Sequence, residues 1–455
     1  MAAESIKKRS VTNMTEGNIF RHIIVFALPL LAGNLFQQLY NTVDTWVVGN
    51  FVGSAAFSAV GTVAPITNML IGLFTGLSSG AGVVISQRFG GNNAEGVRKA
   101  VHTALAATLI AGIFFTAFGV ALIPFLLRII RMPADVYPEA NTYLLIYFGG
   151  ITGQLVYNMG AAILRAVGNS RQPFYFLVLS AISNILLDLL FVLVFHMGVA
   201  GVAWATVVSQ VLSAALVIVV LMRADGSIRL ELPQLRIQRI TLKAMIIIGL
   251  PTALQMGITS FSNIFVQAYI NYFGSDCMGG WTAYNKIDQL IFLPAQSIGL
   301  AVMTFVGQNL GAGQIRRAKQ GVTRALLLSL FINVSIILLI HFTAPALVSF
   351  FIDKEEILYY GVLFLRKLNP FYILISITQT YSSALRGAGR SKEPMFIMLF
   401  SYVVFRQIYL FVMANYISNE VLPIAMGYPA GWLLSAVLFI LVYYRKGLES
   451  KQALA

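Results

Sequence analysis

The stretch "LRAVGNSRQP", residues 164–173, returns as "LRGAGRSKEP" at 385–394, and that recurrence decides how the chain is organised. A second pair, "SQRFGG" at 86–91 and "GQNLGA" at 307–312, shares the same displacement of 221 residues. Pro29 in "ALPLLAG" finds Pro251 in "GLPTALQ" one residue further along. Two independent blocks at one displacement are not a coincidence of composition, so the chain reads as a duplicated unit.

The surroundings of these blocks say what is duplicated. Of 455 residues 58% are hydrophobic and 11% charged, with a mean hydropathy of +0.79, outside the range of ordinary soluble domains. Twelve apolar runs follow one another, from 20–46 and 57–82 through 139–164 and 281–306 to 420–444. Each is long enough to cross a hydrocarbon core of about 30 Å as a helix. Runs such as "TVVSQVLSAALVIVVLM" are too long and too uniformly apolar for the alternating strands of a membrane barrel. The expected fold is an all-α integral membrane protein of twelve transmembrane helices. Because each six-helix half has an even number of spans, both halves enter the membrane the same way. Their axis then lies along the membrane normal, as in parallel-repeat transporters, and a cleft separates two lobes. The expected division is 1–222 for the first lobe, 223–242 for a basic linker loop and 243–455 for the second lobe.

Lys and Arg fall in the N-terminal segment (Lys7, Lys8, Arg9, Arg21), in the even-numbered loops (among them Arg98, Lys99, Arg165, Arg171, Arg223, Arg236, Arg316, Arg317, Arg386 and Lys392) and in the tail. The odd-numbered loops hold little beyond Arg128, Arg131 and Lys354. By the positive-inside rule both termini are cytoplasmic, with the protein multi-pass in a bacterial cell membrane. The first run is read as a retained helix, since no small-residue cleavage pattern follows it. The net charge of +14 is spread over short loops, which argues against a nucleic-acid role. The single Cys277 and four dispersed histidines exclude a disulfide framework and a zinc cage. No P-loop lysine follows the glycine-rich loops, no cofactor is expected, and clustered acids of an intramembrane enzyme are absent from the runs. "GLFTGLSSG" puts Gly72, Gly76 and Gly80 on one helix face, a close-packing pattern.

Three of the seventeen acidic residues lie well inside the runs: Asp44, Asp188 and Asp288. An Asp at mid-membrane costs about 2.5–3.5 kcal/mol on insertion scales, so each needs a partner or a task. Asp44 sits about six residues, roughly 9 Å, below the outer end of the first run, and Asp188 and Thr206 reach a similar level on the fifth and sixth. Asn184 lies one turn before Asp188 on the same face. Two carboxylates, an amide and a hydroxyl at one depth suit a hard cation or a shared proton. Asp288 has cations for company, Lys286 nearby in sequence and Arg406 on the eleventh run. The expectation there is an ion pair with one of them, a second ion site or substrate contact being the sharper alternative.

"LPLLAGNLFQQLYNTVDTWVVGNFVG" at 28–53, "SQRFGGNNAEGVRKA" at 86–100 and the "LRAVGNSRQP" loop resemble the multidrug and toxic compound extrusion (MATE) transporters, over essentially the whole chain. The resemblance implies a V-shaped pair of six-helix bundles and export of amphipathic, often cationic, organic compounds in exchange for H⁺ or Na⁺. It implies a cation site at Asp44, Asn184, Asp188 and Thr206, and a bending role for Pro29. The seventh run lacks the acidic residue of NorM-like members, which places the chain closer to DinF-like or related bacterial branches. Gln37, Tyr40, Gln154 and Tyr157 are candidate cavity residues of the first lobe. The expected partners are small organic molecules and the lipid bilayer, with the chain acting as a monomer. The alternative function is a lipid or lipid-linked saccharide flippase, which would require several deep Arg or Lys residues; Lys286 and Arg406 are the only clear ones.

Overall fold

The computed structural model describes residues 12–130, 132–351 and 354–448. Lys7, Lys8, Arg9 and Arg131 of the charge analysis lie outside the described residues. Twelve long helices account for nearly all of the rest. In chain order they are α1 (Ile19–Val52), α2 (Ser54–Gly90), α3 (Ala94–Ile129), α4 (Tyr137–Ala166), α5 (Arg171–Val194), α6 (Gly198–Arg223), α7 (Arg239–Asn271), α8 (Ser275–Gly311), α9 (Ile315–Ser349), α10 (Glu355–Gly387), α11 (Lys392–Ile417) and α12 (Val421–Lys446). Among the described residues there is no strand. This is what an apolar solvent demands, since a helix satisfies its backbone hydrogen bonds within one segment.

Eleven of these helices are apolar and long enough to cross a membrane. The exception is α4, whose 30 residues include Asn141, Thr142, Thr152, Gln154 and Asn158. Its surroundings explain why that polarity is tolerated. α4 packs against α2, α3 and α6, so protein rather than lipid faces most of its surface. Tyr147, Phe148, Ile151 and Leu155 of α4 join Phe74 of α2 and Ile123 and Leu127 of α3 in one buried cluster. In the second half α8 holds the corresponding central place, with Trp281, Tyr284 and Ile291 packed on Phe364, Leu368 and Tyr372 of α10.

The repeated sequence blocks are repeated turns. Gly168 and Gly389, 221 residues apart, adopt φ of 84° and 79°, and Asn92 and Gly313, also 221 apart, adopt 55° and 72°. Each ends a helix in the left-handed conformation that lets the following amide reach back to a helix carbonyl. In the first pair those bonds run from Asn169 N to Leu164 O (3.0 Å) and from Arg390 N to Leu385 O (2.9 Å). Gly53 and Gly274 form a third matched pair, joining the first two helices of each half with φ of 123° and 92°. The sequence reading ends the second run at 82; α2 continues to Gly90, because glycines inside a buried helix need not stop it when the close approach is used for packing.

The chain resolves into two compact units that do not follow simple chain order. One contains Pro29–Gly249, and the other contains Met14–Leu28 with the described residues from Leu250 onward. The expected division in the 223–242 loop separates halves by sequence, whereas contact separates them at Leu28–Pro29 within α1 and Gly249–Leu250 within α7. The leading part of each of these helices therefore belongs with the other half of the chain.

Specific bonds fix both leading segments. In the first unit, α2 and the start of α7 touch backbone to backbone: a Cβ on Gly80 would stand 2.4 Å from Met245 O and 2.5 Å from Gly249 N. Arg88 Nη1 donates to Gly96 O (3.0 Å) and Thr241 Oγ1 (3.2 Å), tying α2, α3 and α7 together. In the second unit Arg317 donates to the carbonyls of Met14 (3.2 Å), Glu16 (2.8 Å) and Gly17 (2.9 Å), and Met14 N donates to Gln308 Oε1 (2.9 Å). Arg317→Ala is expected to loosen residues 14–18 by about 2 kcal/mol, the scale of bonds to a charged donor. Hydrogen exchange checks this: protection should fall at 14–18 and hold within α9, and unchanged protection at 14–18 would show that Arg317 does not secure the segment.

Candidate functional site

The last turns of α1 and α5 and the first turn of α6 meet the start of α2 in a small apolar cluster of Val47, Val48, Ala56, Val192, Val199 and Val202. Val43, Tyr143 and Leu189 pack on its rim. This cluster sets the position of the polar residues beside it, since Asp44 follows Val43 and Asp188 precedes Leu189. Asp188 is fully buried and Asn184 is 1% exposed. Asp44 and Asp188 stand within hydrogen-bonding reach of each other. Both helices widen into a π turn just beyond their carboxylates, at Val48–Val52 and Leu190–Val194. Such widenings recur at functional positions because they displace backbone groups from the regular ladder.

The polar atoms of this site are short of partners. Asp44 Oδ1, both carboxylate oxygens of Asp188, and Oδ1 and Nδ2 of Asn184 are buried without a hydrogen bond. A buried unpaired carboxylate is expensive, and two side by side repel each other unless a proton or cation stands between them. The donor set is all oxygen and carboxylate-rich, which fits a hard monovalent ion or a proton. Thr206 is nine-tenths buried, and its hydroxyl donates to Val202 O of its own helix at 3.0 Å. Its helix reaches the site, while its hydroxyl proton is spent locally and leaves the oxygen's remaining lone pair.

Tyr143 was not anticipated. It lies on α4 within electrostatic reach of both Asp44 and Asp188, and its ring stacks on Tyr147 at 6.2 Å. The signal is legible in retrospect: Tyr143, Tyr147 and Gln154 recur at helical spacing on an otherwise apolar helix.

Of the candidate cavity residues, Gln37 and Tyr40 lie one turn apart on α1 and are partly exposed. Gln154 and Tyr157 have internal uses: Gln154 Oε1 accepts from Tyr147 Oη at 2.9 Å, and Tyr157 Oη donates to Pro173 O at 3.1 Å. Pro29 lies inside α1, where it removes one rung of the backbone ladder.

The Asp288 neighbourhood departs from expectation. Among the described residues Asp288 forms no ion pair with Arg406 or Lys286. Instead Tyr284 Oη donates to Asp288 at 3.4 Å, and Lys286 is exposed. Arg406 is 2% exposed; its Nη2 donates to Ser262 Oγ (2.9 Å) and Asn263 Oδ1 (2.8 Å), and its guanidinium lies 4.7 Å from the Tyr428 ring centre. Neutral acceptors on α7 and an aromatic face thus take the place of the carboxylate.

Comparison with known proteins adds the family. The MatE profile matches twice, over residues 29–190 and again over 251–412, once for each half. The chain belongs to the MatE family. A probable multidrug resistance protein of Bacillus subtilis, YoeA, is 28% identical over 442 residues, covering 96% of this chain and 95% of its own length. A solved MATE structure in the bent conformation superposes with a TM-score of 0.91 at 23% identity, covering 98% of this chain and 99% of its own. A MOP-superfamily transporter from Pyrococcus furiosus superposes at 0.90 with 23% identity, covering 96% and 98%. At those identities the superpositions establish the MatE fold for the whole chain.

Proposed function

We propose that this MatE protein is a secondary active exporter that admits H⁺ or Na⁺ and expels amphipathic organic molecules by alternating access. The observation that carries the coupling is the set of unpartnered oxygens on Asp44, Asp188 and Asn184, buried together near the outer end of the first unit. The names of relatives such as YoeA, a probable multidrug resistance protein, support a drug-like cargo. The charge distribution supports a cell-membrane location with both termini cytoplasmic.

The mechanism follows from the energetics of the pair. In the outward-open state a cation enters between Asp44 and Asp188, with Asn184 and the Thr206 oxygen completing its shell. Its charge relieves the repulsion between the carboxylates and lets α1 close on α5. That movement is absorbed near Pro29, where the helix lacks a hydrogen bond, and it narrows the space beside Gln37 and Tyr40. Cargo leaves as the cation arrives, so the two occupy the lobe in alternation. Each inward charge supplies about 2.3 kcal/mol per 100 mV of membrane potential.

A flippase for lipid-linked saccharides is disfavoured by the cations. Lys286 is exposed and Arg406 is committed to Ser262, Asn263 and Tyr428, so neither of the two cations in the second-half helices is free for a pyrophosphate. The deciding experiment places purified protein in liposomes and imposes a pH or a Na⁺ gradient separately while following a fluorescent organic cation. One of the two gradients is expected to drive its transport. Failure of both, with scrambling of labelled lipid, would establish the flippase instead.

A further inference from the structure

The linker between the halves builds a basic cavity on the first unit that the transport mechanism does not use. Residues 228–238 lie as a strap across the first turns of α3. Ile228 and Leu230 are buried, and Leu230 N donates to Leu221 O at 2.9 Å. His102, 3% exposed, joins the two elements: Nδ1 donates to Arg98 O (2.8 Å) and Nε2 accepts from Glu231 N (3.1 Å). Gln238 N donates to Thr103 Oγ1 (3.2 Å), which in turn donates to Arg236 O (3.4 Å). Under this strap is a cavity of about 310 Å³ lined by Glu95, Arg98, Lys99, His102, Gln234, Arg236 and Gln238.

Its charge is unbalanced. Three cations line it against one carboxylate, and that carboxylate, Glu95, already pairs with Lys99 at 2.5 Å. Among the described residues Arg98 and Arg236 have no carboxylate within ion-pair distance. Two guanidinium groups beside a preformed space, Arg98 on α3 and Arg236 on the strap bonded across it, are suited to the oxygens of a phosphate.

The helix that carries Arg98 and Lys99 says where the phosphate comes from. α3 has 36 residues, a length of about 54 Å against a hydrocarbon core of about 30 Å. Its charged residues stand at its two ends, Glu95, Arg98 and Lys99 in the first turns and Arg128 in the last, so a helix longer than the core sets Arg98 and Lys99 at headgroup level. Glu95, Arg98, Lys99, His102, Leu109 and Ile113 fall on one stripe at helical spacing. Leu109 is 40% and Ile113 70% exposed, and only 17% of the apolar window of α3 is buried. Below the basic cavity therefore runs a lipid-facing apolar track. We propose that the strap cavity is a specific site for an acidic phospholipid of the cytoplasmic leaflet, with its phosphate on Arg98, Arg236 and Lys99 and an acyl chain along Leu109 and Ile113.

Native mass spectrometry of the full chain in detergent tests this, with phosphatidylglycerol and phosphatidylcholine of matched chains as probes. The protein should retain phosphatidylglycerol selectively. R98Q should lower that retention about fivefold and R98Q/R236Q about thirtyfold, from the usual worth of a surface cation toward anionic lipid. R316Q, an exposed cation on α9 of the other half, should leave retention unchanged. Equal retention by R98Q/R236Q and the parent, or an equal loss in R316Q, would overturn the proposal. So would full displacement of phosphatidylglycerol by millimolar inorganic phosphate, which would make the cavity a free-anion site. Should the double variant not fold, Leu109→Trp provides an independent reading with the cations intact. Its added fluorescence should be quenched by chain-brominated phosphatidylglycerol at about one lipid per protein, and equal quenching by brominated phosphatidylcholine would refute the site.

Discussion

Asp188→Asn is expected to abolish gradient-driven export while leaving the protein folded. The carboxylate is fully buried, and neither of its oxygens has a donor. Asn has nearly the same shape, and removing an unpaired buried charge is neutral or stabilising for the fold. What is lost is the charge that holds the cation. If one translocated charge drops out, the sustainable substrate gradient falls about fiftyfold per 100 mV, from the 2.3 kcal/mol each charge supplies. Asp44→Asn should act alike, and the double variant should be no worse than either, since both changes disable one site. Counterflow of labelled substrate across ungraded liposomes should persist, which separates loss of coupling from loss of binding. Full gradient-driven transport by both single variants would remove the Asp44–Asp188 pair from the mechanism.

The second large effect belongs to packing. Gly80→Val should cost well over the 1–3 kcal/mol typical of overpacking, because the new carbons would meet Met245 O and the Gly249 backbone rather than movable side chains. Gly249→Ala should act in the same direction and less strongly, since its Cβ would approach Leu77 O at 2.9 Å. Thermal unfolding in detergent measures both, with Gly61→Ala as the control because nothing lies within 4 Å of a Cβ there. A Gly80→Val protein as stable as its parent would mean that α2 and α7 do not need this contact.

Much of this architecture is written in local sequence, and the reasons are physical. The repeated loops are legible because a left-handed helix end requires Gly or Asn, so Gly168 and Gly389 leave a mark that survives divergence around them. The acidic site is legible because few residues are as costly in lipid as Asp, so Asp44 and Asp188 stand out singly. Polar contacts between distant helices leave no such mark. Arg406 finds Ser262 and Asn263 on α7, residues that look like any others in an amphipathic stretch, and the expected pairing with Asp288 gave way to them. His102 is similar: a lone histidine in sequence becomes an anchor only because Glu231, 129 residues on, presents its amide. Tyr143 does not stand out in sequence because an aromatic residue near a membrane surface ordinarily reads as an interfacial anchor.

The exchanged leading segments of α1 and α7 also bear on how the protein is made. The partners of residues 14–28, around Gln308 and Arg317, are synthesised some 300 residues after them. The first half, in turn, lacks 239–249 until translation has passed the linker. The first half cannot finish folding when its own six helices have been inserted, and the second depends on a segment made with the first, so a gene cut at the linker should give two fragments that assemble together and are degraded apart.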